Sequence, residues 1–223
     1  MKATVLCYHK IGPASEEGRR LNVEPARLEA HLRYFVRRKL PICRADSLVD
    51  GGVCFTFDDA YASTLTHAIP IFDRYCEKAT FYAVTDRVGK TSEWDAPQDR
   101  PLATWDDLLI AAKNGHEIGN HTQTHPHLDQ LRLEDALAEI DGADAALRAQ
   151  GLDAASLCYP YGHHTAELAS VLRTRQYRSV MTLSKPVAGR MQEPLAMPRT
   201  VVGYSDALPM LLYKLFVRPR MRR

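Results

Sequence analysis

Apolar positions in this chain come in short continuous bursts separated by longer amphipathic stretches. Residues 3–8 form an apolar run that stops at the polar turn His9-Lys10-Ile11-Gly12-Pro13. A run of that length and composition predicts a buried strand. Residues 22–39 instead carry Leu28, Leu32, Phe35 and Val36 at helical spacing, with Pro25 near the start. They predict a helix, its basic end Arg37-Arg38-Lys39 placed where the helix dipole favours positive charge. The alternation then repeats. Strands are expected over 53–57, 78–84, 116–121, 156–159 and 178–183, and a last extended segment over 195–202. Helices are expected over 62–75, 105–114, 133–150 and 165–175, with Gly115 closing the second of these. Residues 85–101, which include Trp94 and Pro97, predict a long loop across one end. Strand-helix alternation sustained in this way is the signature of a parallel sheet, or of a closed barrel with outer helices.

With 223 residues the chain fits one sizeable core, and its 45% apolar and 25% charged content is ordinary for a globular protein. A net charge of +2 argues for no particular partner, and the scattered basic residues predict no nucleic-acid binding. The five Cys, at 7, 43, 54, 76 and 158, include no C-x-x-C pair. Cys7, Cys54 and Cys158 sit in strand-like runs and read as free buried thiols, which suits a reducing compartment. The apolar run in residues 1–7 is too short for a signal-peptide core, and no run of about 18 apolar residues spans a membrane. A cytoplasmic protein is the expectation. Residues 1–205 read as one domain and 206–223 as a tail, in which an apolar 208–217 precedes Arg218, Arg220, Arg222 and Arg223. The tail reads either as a docking helix with a frayed basic end or as a peripheral membrane anchor, its arginines on anionic headgroups.

Candidate chemistry collects where strands end. Val53-Cys54-Phe55-Thr56-Phe57 runs into Asp58-Asp59, the 116–121 strand ends in His121 with His125 close behind, and the first strand ends at His9. Core packing has no use for adjacent carboxylates, whose burial costs several kcal/mol unless they are paired. A helix N-cap would need only one Asp. In a parallel barrel all strand ends of one kind face the same side, so these residues can converge. Imidazoles and a carboxylate make a three-ligand site for a borderline metal, zinc first, with water in the open position. One carboxylate then binds the metal while its neighbour takes a proton from that water. Both face one pocket only if the chain bends there, because successive strand side chains point opposite ways.

Thr56-Phe57-Asp58-Asp59, His121-Thr122-Gln123-Thr124-His125 and Tyr159-Pro160-Tyr161-Gly162 together resemble the polysaccharide deacetylases, the NodB-homology or carbohydrate esterase family 4 enzymes. Trp105 to Leu108 and Gly115 to His121 resemble the same family, and the likeness runs over residues 3–203. It implies an α/β fold, a deformed (β/α)7-8 barrel, and removal of an N-acetyl group from a sugar. By motif, Asp58 matches the general base and Asp59, His121 and His125 the ligands of a divalent metal, zinc with cobalt or nickel as substitutes. The Tyr161 backbone N–H, presented by the Pro160-Tyr161 turn, matches the oxyanion donor.

Two features depart from the family pattern. The arginine expected shortly before Pro160-Tyr161 is replaced by Leu157-Cys158-Tyr159, and the C-terminal Leu-x-His that supplies the acid is absent. Leu6-Cys7-Tyr8-His9 resembles the N-terminal Tyr-His of a circularly permuted branch typified by poly-N-acetylglucosamine deacetylases, which makes His9 the expected general acid. Arg199 is the candidate to replace the missing arginine beside Asp58, a surface salt bridge being the other reading. His127 competes as a metal ligand, and His163 and His164 read either as substrate contacts or as solvated residues. The expected partner is an N-acetylated sugar. Two alternatives stand beside the deacetylase: a deformylase or deacetylase of a lipid-linked amino sugar at the cytoplasmic membrane face, and a non-catalytic carbohydrate-binding module. Nothing in the sequence fixes the oligomeric state.

Overall fold

A computed structural model describes residues 2–95, 99–186 and 191–220; Pro97, Arg222 and Arg223 lie outside the described residues. In chain order the elements are β1 (Thr4–Tyr8), β2 (Lys10–Ile11), α1 (Ala14–Glu17), β3 (Asn22–Val23), α2 (Pro25–Arg37), β4 (Ile42–Cys43), β5 (Val53–Phe57), α3 (Ala62–Arg74) and β6 (Thr80–Ala83). There follow α4 (Trp105–Lys113), β7 (Glu117–Asn120), α5 (Leu133–Ala149), β8 (Ser156–Cys158), α6 (Ala166–Leu172), β9 (Ser179–Met181), β10 (Thr200–Val201) and α7 (Leu208–Leu212).

Seven strands, in the order β10-β1-β5-β6-β7-β8-β9, make a parallel ring. A parallel bridge between Met181 in β9 and Met197, just ahead of β10, draws its two ends together. The result is a deformed (β/α)7 barrel. β4 lies outside the ring and pairs with the first half of β5, before β6 takes over that edge.

Side-chain alternation divides this ring into an inside and an outside. Val5, Cys54, Tyr82, Cys158, Met181 and Met197 pack together within it. The residues of opposite parity, Leu6, Phe55, Phe57 and Phe81 among them, pack outward against the helices. There Phe57 stacks on Phe81 at 5.0 Å and Phe72 of α3 meets Phe55 edge-on at 5.3 Å. Each such buried ring contributes about 1.5–3 kcal/mol. Along β7 and the residue after it the inward positions are Glu117, Gly119 and His121, and a Cβ on Gly119 would stand 2.5 Å from the Tyr82 ring. The interior is therefore a filled core with polar layers at both ends.

Residues 22–24 depart from the expected helix. Asn22 and Val23 instead pair with Lys10 and Ile11, and α2 starts at Pro25. The proline ring disfavours helical backbone at Glu24, which is extended at φ −65°, ψ 142°. The Asn22 amide fixes the turn by donating to the Gly12 and Gly18 carbonyls.

All five cysteines are free, and only Cys76 is exposed. The tail folds back onto the barrel. α7 continues as a π-helical turn over Tyr213–Val217, with Leu211 buried and Leu215 packed against the main core. Met210, Tyr213, Phe216 and Val217 face outward. Among the described residues no helix is long and apolar enough to cross a membrane.

Candidate active site

The register of β1 on β5 sets Tyr8 beside Phe57, so that His9 and Asp58 leave adjacent strands at the same end. Asp58 N–H still bonds to the Tyr8 carbonyl, at 2.9 Å, as a continuation of the sheet. Parity then sends the Asp58 side chain inward. Asp59 would point outward but for a break in the strand: Asp59 and Ala60 adopt φ values of 69° and 50°. This left-handed backbone, costing of order 1–3 kcal/mol per residue, is the bend that turns both carboxylates to one pocket. Thr122, His125 and Tyr161 share the left-handed conformation, at 69°, 65° and 57°.

Asp59, His121 and His125 converge. Asp59 Oδ1 lies 3.4 Å from His121 Nε2 and 3.3 Å from His125 Nε2, with all three residues buried. Tetrahedral ligands bonded to zinc at about 2.0–2.1 Å stand about 3.3–3.4 Å apart, so this spacing fits such an ion. Asp59 Oδ1 is also a buried atom with no hydrogen-bond partner, a vacant acceptor between two imidazoles. His121 Nδ1–H donates to the Cys158 carbonyl at 2.8 Å, which leaves Nε2 bare toward Asp59 in the neutral ring. Burial, against the pull of Asp59, lowers the His125 pKa to about 4 and keeps that ring neutral. Burial also opposes charge on His121, but Cys158, Asp59 and Asp58 outweigh it and raise its pKa. Against burial, His125 and His121 hold the Asp59 carboxyl at about 2. Two imidazoles and one carboxylate suit a borderline divalent ion such as zinc, cobalt or nickel.

Asp58 has a different partner. Arg199 Nη1 and Nη2 reach its two oxygens at 2.6 and 2.8 Å. Arg199 is only 2% exposed, which replaces the surface salt bridge with a buried, two-pronged pair. Its remaining donors are satisfied by the Thr182 carbonyl, Thr56 Oγ1 and Cys158 Sγ. Burial alone would raise the Asp58 pKa; the Arg199 guanidinium holds it well below the usual carboxylate range. The Cys7 thiol donates to Asp58 Oδ2 at 3.4 Å. His9 completes this side, with ligating atoms of His9, Asp58 and Cys7 all within 4.8 Å of one another. His9 Nδ1 is buried and has no hydrogen-bond partner.

Beyond β8 the chain turns through Pro160–Gly162, with Pro160 buried and the Tyr161 ring against His125 at 4.6 Å. Gly162 is required there: its φ is 72°, and a Cβ would meet the Leu183 backbone nitrogen at 2.5 Å. His127 stands outside the triad and stacks on the far side of the turn, at 3.9 Å from the Tyr161 ring. His164 stacks on Tyr159 and contacts no member of the triad in the described rings.

Several supporting residues carry no motif of their own. Glu139 of α5 accepts from Gln123 N–H, Thr124 N–H and Thr124 Oγ1, which pins the loop between the two histidines. Asn120 accepts from Thr122 N–H at 2.7 Å and anchors to the Ile140 carbonyl and Asp144. Trp94 stacks on His125 at 4.2 Å and donates to Tyr61 Oη, which donates to buried Asp95. Lys10 Nζ lies 3.9 Å from the same carboxylate. The signal that sequence offered for this cluster was the long 85–101 loop carrying Trp94 across one end of the fold.

Comparison with known proteins agrees with this geometry. The polysaccharide deacetylase family model matches residues 47–180. YxkH of Bacillus subtilis, whose name places it provisionally among polysaccharide deacetylases, is 23% identical over 215 residues, covering 91% of this chain and 72% of that protein. BC0361 of Bacillus cereus, a polysaccharide deacetylase, superposes with a TM-score of 0.79 at 21% identity, over 96% of this chain and 69% of that one. IcaB of Ammonifex degensii gives 0.79 at 22% identity, over 94% and 95%. At such identities these two structures speak for the fold alone. The matched region runs from ahead of β5 into β9 and holds Asp58, Asp59, His121, His125 and Tyr161; by that match the chain belongs to the polysaccharide deacetylase family.

Proposed function

We propose that this protein is a metal-dependent N-deacetylase of N-acetylated amino sugars. The observation that carries the reading is the spacing of Asp59 Oδ1, His121 Nε2 and His125 Nε2, beside a second carboxylate that is engaged by Arg199 rather than by the histidines. A divalent cation on the triad would supply a Lewis acid that lowers the pKa of water and polarises the acetyl carbonyl. The remaining tasks fall to the chain. Asp58, kept ionised by Arg199, accepts the proton of the attacking water. The Tyr161 N–H donates to the carbonyl oxygen as it becomes an oxyanion. An amine cannot leave as an amide anion, so His9 in its protonated form delivers a proton to the departing nitrogen. Trp94 and the Tyr161 ring, on either contact of His125, wall the space that a sugar ring would enter.

Release of acetate from N-acetylglucosamine oligomers, with zinc, cobalt and nickel supplied separately, tests the reading. A metal-free protein that binds the oligomers and releases nothing would instead be a carbohydrate-binding module.

A lipid-linked N-acyl amino sugar is a second substrate class, supported by the tail. Its outward apolar residues Met210, Phe216 and Val217 lie beside Arg218 and Arg220, a combination suited to an anionic membrane surface. Together with the free buried thiols, this favours a place on the cytoplasmic membrane face. Lipid-linked and free substrates, presented with and without anionic vesicles, distinguish the two classes.

A further inference from the structure

A second group of ligating side chains gathers beyond the Tyr161 turn. His127, Asp129 and His163 each bring one ligating atom within 4.8 Å of the other two, and His163 Nδ1 stands 3.8 Å from Asp129 Oδ2. They come from two loops. His127 and Asp129 lie at the 3-10 turn Leu128–Gln130, and His163 directly follows Pro160–Gly162. Deacetylation as described above uses none of them.

Two observations separate this group from an ordinary solvated surface. His127 Nδ1 is shut off from solvent without a hydrogen-bond partner, a condition that costs about 1–3 kcal/mol unless something binds there. The His127 ring is also held in place: it lies flat on Tyr161, 8° from coplanar. One of the three ligands is thus already oriented, while exposed Asp129 and His163 are free to adjust.

We propose that His127, Asp129 and His163 form a second divalent-cation site, which clamps the Tyr161 turn. Two imidazoles and a carboxylate select zinc, nickel, cobalt or copper over magnesium and calcium, which require oxygen donors. The outer site binds more weakly than the inner triad. Its 3.8 Å contact must close to about 3.3 Å, and two exposed side chains must be ordered to do so. A bound ion ties the 127–129 segment to His163 across the Tyr161 ring, whose other contact is His125. Occupying the outer site therefore stiffens a wall of the inner one. The inference does not depend on the deacetylase reading.

The test is a zinc titration of untagged protein against a chromophoric chelator, with hydrogen exchange followed over residues 160–163. Wild type is expected to take two equivalents, one tight and one weaker. Asp129→Asn and His163→Ala should each lose the weaker equivalent and keep the tight one. His125→Ala should do the reverse, and His67→Ala, on α3, should keep both. Exchange at 160–163 should slow with the second equivalent in wild type and not in His163→Ala. A wild type that saturates at one equivalent removed by His125→Ala overturns the site, as does a second equivalent that survives both outer variants. A second equivalent that leaves exchange unchanged overturns the clamp. If wild type shows only the step that depends on His163, the inner metal reading fails and the outer site stands.

Discussion

Arg199 and Asp58 are 141 residues apart in the chain and meet in a two-pronged ion pair closed off from solvent, at 2.6 and 2.8 Å. Neither charge has another escape. Buried pairs of this kind add little net stability over an apolar replacement, but removing one partner strands the other. The pair also determines what Asp58 can do, since an ionised carboxylate can take a proton and a neutral one cannot.

Arg199→Ala is expected to cost about 3–5 kcal/mol near neutral pH, measured by denaturant unfolding. The folded pKa of Asp58 lies below its unfolded value. Its stabilisation is therefore complete above about pH 4 and is lost as the pH falls toward the folded value. With Asp58 buried without its partner and its pKa raised, the folded variant takes up a proton above the unfolded value. The gap between wild type and variant should therefore begin to narrow above about pH 4 and keep narrowing as the pH falls. In the variant, burial acts on Asp58 unopposed, so the acid limb of the kcat/KM profile should move to higher pH. A variant with an unmoved acid limb would remove Asp58 as the base.

Asp58 and Asp59 are adjacent yet should fail differently. Asp59→Asn and His121→Ala are expected to lose the tightly bound metal and all turnover, without recovery on adding zinc. Asp58→Asn is expected to keep the metal while turnover falls about 10²–10⁴-fold, the usual size of a general base's contribution. Metal content and acetate release, read on the same preparations, separate the two. Equal metal loss in both variants would contradict the division of roles.

Replacing His9 should slow amide substrates and spare activated esters. Loss of a general acid costs about 10²–10⁴-fold where the leaving group needs a proton. The aryloxide of an aryl acetate leaves without one. His9→Ala with metal bound is therefore expected to hydrolyse an aryl acetate at nearly the wild-type rate while acetamido-sugar turnover collapses. Full turnover of the sugar would show that the proton comes from elsewhere.

At the opposite end of the barrel, burial and then the neighbouring Asp46 carboxylate raise the Glu117 carboxyl to about 7, against the hydrogen bond it accepts from Thr80. Its folded pKa lies above its unfolded value, so folding retains a proton that the unfolded chain gives up. Stability is then full below about pH 4 and declines as the pH rises to about 7. Glu117→Gln should accordingly raise the melting temperature at pH 8 more than at pH 5, with a difference of roughly 2–3 kcal/mol. Equal shifts at both pH values would mean that Glu117 is already ionised in the folded protein.

The strand-helix alternation made the barrel legible, because buried parallel strands leave continuous apolar runs that periodicity detects. Asp58, Asp59, His121 and His125 were equally visible, each being a polar residue where a strand runs out. What sequence could not reveal is contact at a distance. Arg199 stands open between a partner for Asp58 and a surface salt bridge, and only the placement of β10 next to β1 decides for the first. Glu139 looks like one more exposed helix residue until the His121–His125 loop rests on it. β3 was hidden for a local reason: two residues are too few for a period, and the helical spacing of α2 can be extended through them.

The seam of the ring lies between β9 and β10, where the end of the chain returns to its beginning. Asp58 and the three metal candidates are all supplied by residues up to 125, and a ribosome exposes them long before Arg199. A chain that stops or is clipped after β9 would possess the candidate ligand histidines and still lack the guanidinium that holds the Asp58 pKa down. Closure of the barrel and the charge on Asp58 are thus coupled, because the guanidinium that pairs with that carboxylate arrives just ahead of β10.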